Sequence, residues 1–264
     1  LPSRKVAPAY APVPVFTWTG FYLGLNLGYA FGGSNNGNGF GIVLPPATAQ
    51  HVGPLNGGNG SGKGILGGAQ VGYNWQSGSL VFGVETDIQG AGIRGNGAPA
   101  GAMGIGNNGA AQFVAATATS RIDWFGTLRG RIGFTVAPTF LLYATGGLAY
   151  GGVKNSVTPI FVNTTGGSLL GITNTTSATK LGWTAGVGAE YAFGPNWSAK
   201  LEYLYTDLGS SNANLTNAGA AIGGYFGCCT VYSGQLSNSN RFHTVRAGIN
   251  YRFGGVAGPV VAKY

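Results

Sequence analysis

Gly20-Phe21-Tyr22-Leu23-Gly24-Leu25-Asn26-Leu27-Gly28-Tyr29-Ala30-Phe31 separates into two faces when every second residue is read. Phe21, Leu23, Leu25, Leu27, Tyr29 and Phe31 fall on one side; Tyr22, Gly24, Asn26, Gly28 and Ala30 fall on the other. Successive strand side chains point to opposite faces, so this period predicts a β-strand with one greasy side and one small or polar side. Its length suits the roughly 9–11 residues that a tilted strand needs to cross a bilayer. Aromatic rings at both ends of the apolar face add to that reading, because amphipathic rings favour the two membrane interfaces.

The same alternation recurs seven more times, over residues 64–76, 80–90, 121–136, 140–152, 180–193, 197–206 and 241–253. Ser77-Gly78-Ser79, Ala137-Pro138-Thr139 and Gly194-Pro195-Asn196 read as tight turns. Between the other pairs lie long stretches rich in Gly, Asn, Ser and Thr, read as loops over 32–63, 91–120, 153–179 and 207–240. Eight strands with short and long connections in strict alternation predict an all-β, antiparallel, up-and-down transmembrane β-barrel, with short periplasmic turns and four long extracellular loops. Closure matters because lipid offers no hydrogen bonds to an open sheet edge. Pro2, Pro8, Pro12 and Pro14 make residues 1–16 an extended periplasmic tail. The barrel occupies 17–253, and 254–264 is expected to be a second periplasmic tail.

Composition narrows the alternatives. Only 8% of the 264 residues are charged and 51 are glycine, yet no run of 18 or more apolar residues exists to form a membrane helix. Cys228 and Cys229 are the only cysteines and are adjacent, which excludes a disulfide framework and any CxxC metal or haem motif. Residues 57–64 nearly spell a phosphate-binding loop, but Gly64 stands where Ser or Thr must hold magnesium. The net charge of +8 carries no basic run or stacking platform, so nucleic acid is not the expected partner.

The charged residues decide which face is outside. Glu85, Asp87, Asp123, Glu190 and Glu202 fall on the glycine-rich face, as do Arg129, Arg131, Lys200, Arg246 and Arg252. Burying such groups is tolerable only when they pair, so these ten are expected to close the lumen as an ion-pair network. Lys63, Arg94, Arg121, Lys154, Lys180 and Arg241 lie near the long-loop ends of strands and are expected to form a basic rim suited to lipopolysaccharide phosphates. Asp207 is expected to lie outside the strands.

Several short motifs, taken together, carry a resemblance. Phe16-Thr17-Trp18-Thr19-Gly20-Phe21-Tyr22, Gly72-Tyr73-Asn74-Trp75-Gln76, Gly83-Val84-Glu85 with Asp87, Asp123-Trp124-Phe125-Gly126-Thr127-Leu128-Arg129-Gly130-Arg131 and Tyr251-Arg252-Phe253 span all eight strands. As a set they resemble the small outer-membrane β-barrel surface proteins of alphaproteobacteria, the porin-family or opacity type with an OmpA-like transmembrane barrel. The resemblance implies a removed signal peptide, a cell outer membrane location and insertion by the barrel-assembly machinery reading the last strand. The chain departs from the pattern where residues 254–264 continue past the terminal aromatic.

Catalysis is not expected, and no cofactor is required. His51 and His243 are the only histidines; some members of the resembled family bind haem, which makes His51, His243, Tyr225 and Tyr232 candidate surface ligands. Glu85 and Asp87 read as a structural salt-bridge pair rather than an acid/base pair. Cys228 and Cys229 are candidates for an adjacent-residue disulfide or a link between two chains. Apolar loop residues, including Ile160-Phe161-Val162 and Leu169-Leu170, are either strand extensions or a surface for self-association or host contacts. The expected function is a structural surface protein of the outer membrane; a haem or ligand receptor and a narrow-pore porin are the alternatives.

Overall fold

The computed structural model describes residues 16–32, 40–42, 52–55, 62–96, 100–105, 111–163, 169–171, 173–214 and 235–253. Eight long strands form the wall: β1 (Gly20–Phe31), β4 (Gly64–Ser77), β5 (Leu80–Asn96), β7 (Ala111–Ala137), β8 (Phe140–Asn163), β10 (Asn174–Ala192), β11 (Trp197–Asn214) and β12 (Gln235–Phe253). Each pairs antiparallel with its neighbours in chain order, and β12 returns to β1 from Phe21↔Phe253 to Phe31↔His243. The ring is therefore a closed, eight-stranded up-and-down barrel, as expected. Twelve residues rising about 3.3 Å each and tilted about 40° span about 30 Å, which matches a bilayer's hydrocarbon core.

Among the described residues, four shorter strands stand beyond the wall: β2 (Phe40–Ile42), β3 (Val52–Leu55), β6 (Ala100–Ile105) and β9 (Leu169–Gly171). β2 pairs with β3, β6 continues the pairing on β7, and β9 pairs with β8. Much of 91–120, 153–179 and 207–240, expected as loop, is therefore strand. Pairing across a hairpin satisfies the backbone of Thr-, Ser- and Gly-rich chain without requiring an apolar face, so ladders continue past the lipid boundary. Ile160, Phe161 and Val162 pair with Gly171, Leu170 and Leu169, making this apolar segment a strand extension.

At the opposite end the connections are tight. Ser77 and Leu80 are register partners, leaving a two-residue turn in which Gly78 adopts φ +61. That left-handed conformation matches the twist of the flanking strands and favours glycine.

Side-chain direction is inverted relative to a water-soluble barrel. Leu25 is 70% exposed and Ile249 51%, whereas Glu85, Arg129 and Glu202 are at most 3% exposed. Large apolar side chains face outward all the way round the wall, including Leu27, Ile65, Ile88, Leu128, Leu148, Val187, Leu201 and Val245. An apolar surface this continuous fits hydrocarbon rather than water.

Inside, two apolar layers cap a polar middle. Trp18, Val81, Leu141, Tyr143 and Ala192, with Phe16 packed against them, fill the short-turn end. Ala30, Leu66, Ile93, Ile122, Phe125, Ala149, Val153, Leu208 and Phe242 fill the long-loop end. Register shifts lie between Gly90 and Ile93 on β5, Ile122 and Trp124 on β7, and Asp207 and Ser210 on β11. The extra residue at a bulge reverses the parity beyond it, so Ile122, which shares the even positions of the outward Leu128 and Ile132, is buried within.

Candidate functional site

The lumen centre holds four acids and four bases in mutual contact. Glu85 on β5 receives two bonds from Lys200 Nζ on β11, at 3.0 and 2.9 Å, together with one from Arg129 Nη2 on β7. Asp87 Oδ2 accepts from Arg129 Nη2 at 3.0 Å, Arg246 Nη2 at 2.9 Å and the Thr127 hydroxyl at 2.8 Å. Glu202 bridges the same arginines, accepting from Arg129 Nη1 at 3.1 Å and Arg246 Nε at 2.6 Å. Glu190 on β10 accepts from Arg131 Nη2 at 2.9 Å and from Ser198 Oγ.

Neutral side chains tie this cluster to the remaining strands. Tyr22 on β1 donates to Glu85 Oε2 at 2.7 Å, and Tyr143 on β8 donates to Glu202 Oε1 at 3.1 Å. Gln70 on β4 donates to Asn250 Oδ1 at 2.6 Å, and Asn250 Nδ2 on β12 donates to Glu190 Oε1 at 2.8 Å. One connected network thus reaches every strand of the wall. The Arg131 guanidinium also stacks 4.0 Å from the Tyr143 ring centre.

Glycines make room for the two tyrosines. Gly72 is the register partner of Tyr22 and Gly188 that of Tyr143. A Cβ at Gly72 would collide with the Tyr22 hydroxyl, and one at Gly188 with the Tyr143 ring. The glycine-rich face is therefore a set of sockets for long polar side chains reaching across the lumen.

Arg252, expected among the ion pairs, does different work. Its guanidinium lies 4.1 Å from the Phe16 ring centre and 5.1 Å from that of Trp18, and Nη1 donates to Thr17 O at 2.7 Å. The Trp18 backbone N–H donates to Gln76 Oε1 at 2.7 Å, and its indole Nε1 to Pro138 O at 3.2 Å. Phe16, assigned from sequence to the tail, thus belongs to a stopper that closes the short-turn mouth.

Asp123 is the second departure. It leaves the lumen at the β7 bulge and sits on the outer rim, where Arg121 pairs with Oδ1 and Lys154 with Oδ2 at 3.0 Å. Asp207, expected outside the strands, lies within β11 and pairs with its register partner Arg241 at 2.9 Å. The rim cations therefore do not form an even ring. Lys180 Nζ donates to Ser210 O at 3.1 Å and the exposed Arg241 pairs one-to-one with Asp207, while Lys63, just before β4, and Arg94, Arg121 and Lys154 on the next three strands are exposed with Asp123 as their one acid.

The model of the outer membrane protein beta-barrel domain matches residues 6–253. The chain belongs to that family. Its curated relatives include the 31 kDa outer-membrane immunogenic protein of Brucella melitensis, 38% identical over 95% of this chain and 90% of the relative. The 22 kDa outer membrane protein of Rhizobium leguminosarum is 32% identical over 92% of this chain and 82% of its own length. Among solved structures, OprG of Pseudomonas aeruginosa aligns over 89% of this chain and 96% of that protein, at 13% identity and a TM-score of 0.47. The protein is thus an outer-membrane β-barrel, and its relatives are named as outer-membrane or immunogenic proteins rather than by a catalytic activity.

Of the candidate haem ligands, His243 alone lies within the described residues. It faces outward from β12, with Nδ1 2.6 Å from the Tyr203 hydroxyl and its ring stacked between Phe31 and Tyr203. His51, Tyr225, Tyr232, Cys228 and Cys229 lie outside the described residues. Sequence reasoning did not single out Tyr22, Tyr143, Gln70 or Asn250 as network members. Their alternation parity places them on the lumen face, which was the signal that could have found them.

Proposed function

We propose that this outer-membrane barrel is a structural surface protein with a sealed lumen, which supports outer-membrane integrity and carries its long hairpins as a surface for contacts. The observation that supports this reading is the network centred on Glu85, Asp87, Arg129, Glu202 and Arg246, joined to every strand and enclosed between two apolar layers. Opening a path for solute would expose unpaired charges in the barrel and dislodge the Trp18 stopper, both of which are costly. The immunogenic naming of the Brucella relatives supports a surface role. Residues 1–15 and 254–264 are assigned to the periplasm, and the barrel-assembly machinery is the proposed reader of β12.

Planar-bilayer recording tests the proposal. The purified full chain should insert without stepwise conductance, whereas a narrow-pore porin would give reproducible unitary steps. Such steps from the unmodified protein would overturn the sealed-lumen reading. A haem receptor would instead give a saturable absorbance change on haemin titration, lost in a His51→Ala/His243→Ala variant.

A further inference from the structure

Four of the exposed cations at the long-loop end, Lys63, Arg94, Arg121 and Lys154, stand in one unbroken row. Lys63 and Arg94 exchange backbone hydrogen bonds at 3.1 Å in both directions. Arg94 is the register partner of Arg121, and Arg121 that of Lys154. Register partners on neighbouring strands lie about 5 Å apart, so the row spans about 15 Å, from Lys63 just before β4 across β5 and β7 to β8. Alternation puts Arg94, Arg121 and Lys154 on the outer wall, because their neighbours Ile93, Ile122 and Val153 are buried in the lumen, and Lys63 is exposed beside Arg94. Asp123 is the one acid in the row, shared between Arg121 and Lys154, and leaves a net charge of three. On the opposite wall Arg241 is neutralised by Asp207, and Lys180 on β10 stands apart from the row with its Nζ on Ser210 O, so the one run of adjacent cations with surplus charge lies on this side of the barrel.

Just below the row, the wall changes to the chemistry of a lipid interface. Trp124 covers Gly152, where a Cβ would lie 2.6 Å from the indole Nε1, and its ring meets Tyr150 edge-on at 6.2 Å. Ile65, Ile88, Leu128 and Leu148 continue downward as exposed apolar surface. A cationic row above an aromatic belt above hydrocarbon-facing side chains matches an amphiphile with phosphates at the headgroup and acyl chains beneath.

We propose that Lys63, Arg94, Arg121 and Lys154 form a one-sided binding site for the phosphorylated sugar headgroup of lipid A, the outer-leaflet glycolipid. The row's length lets two phosphates be met at once, Arg94 and Arg121 donating in the middle and the two lysines at the ends. Arginine suits the central positions because its planar fork contacts two phosphate oxygens together. The inference rests on the outer-membrane placement and not on a sealed lumen, so a non-conducting barrel with an indifferent rim would end this proposal and leave the previous one intact.

The test titrates the detergent-solubilised full chain with diphosphoryl lipid A, fully dephosphorylated lipid A and phosphatidylglycerol, with the heat-dependent mobility shift on gels verifying the fold of every variant. The wild-type protein should prefer diphosphoryl lipid A to both other lipids. Arg94→Gln/Arg121→Gln should weaken that binding about 30-fold, as expected for two interfacial cations. Arg241→Gln, on the opposite wall, should stay within about twofold of wild type. Lys63→Gln/Lys154→Gln should fall between these two and supplies an independent reading if the arginine pair fails to fold. Equal binding of dephosphorylated lipid A or phosphatidylglycerol would overturn the proposal, as would an Arg241→Gln loss matching that of the arginine pair.

Discussion

The lumen and the outer rim carry the same residue types under opposite conditions. At the centre, Glu85, Asp87, Glu190 and Glu202 meet Arg129, Arg131, Lys200 and Arg246, four against four and all buried. At the rim, Lys63, Arg94, Arg121 and Lys154 face Asp123 alone and remain exposed. The difference follows from desolvation: an unpaired charge in the dry interior costs several kcal/mol, so only a balanced set persists there. The rim is wetted and lies beside headgroups, where excess positive charge is tolerated and is available to bind phosphate. Charge balance, more than residue identity, separates the part that holds the barrel shut from the part that can recognise something.

That contrast can be broken by mutation. Arg129→Met removes the base shared by Glu85, Asp87 and Glu202, and should destabilise the barrel by about 3–5 kcal/mol in urea unfolding from vesicles. A loss no larger than that of a rim variant would erase the distinction. Ala247→Arg places a charge on the lipid-facing wall opposite Leu27 and Leu201, and should cost about 2–4 kcal/mol in the same assay. Gly72→Ala fills the socket under Tyr22 and should cost about 1–3 kcal/mol, an effect that Tyr22→Phe should leave largely in place because the ring remains. Smallest is Arg121→Gln, expected to change stability by no more than about 0.5 kcal/mol despite removing an ion pair with Asp123. Finding it more damaging than Gly72→Ala would mean that the rim carries load and not merely charge.

Much of the architecture could be read from alternation. The parity of Leu25 against Asn26, or Ile88 against Asp87, assigns the lipid and lumen faces because a strand's period of two admits no intermediate direction. The same parity places Glu85, Arg129, Glu202 and Arg246 in the lumen, where they lie. Parity misplaces Asp123, because a bulge adds one residue and reverses the alternation; the bulge arises where Ile122 and Trp124 pair with Val153 and Gly152 on β8, which periodicity along β7 cannot reveal. The upper parts of β7 and β8 read as loop from the sequence because their Ala-, Thr-, Ser- and Asn-containing stretches carry no sustained apolar alternation. Beyond the membrane no such stripe is required, and cross-strand hydrogen bonds suffice. The stopper was hidden for another reason: Phe16 and Trp18 follow a proline-rich stretch, and their partners Arg252, Gln76 and Pro138 are distant in sequence.

The five tryptophans provide the most direct test of the inverted barrel. Trp75, Trp124, Trp183 and Trp197 face outward and are 38–51% exposed, whereas Trp18 is 1% exposed inside the mouth. Five single-tryptophan variants, the others changed to Phe, can be reconstituted in vesicles whose acyl chains carry bromine. Bromine should quench the four outward residues and spare Trp18, with the Trp18-only protein retaining its heat-dependent mobility shift. Quenching of Trp18 with sparing of the other four would mean that the faces had been assigned the wrong way round.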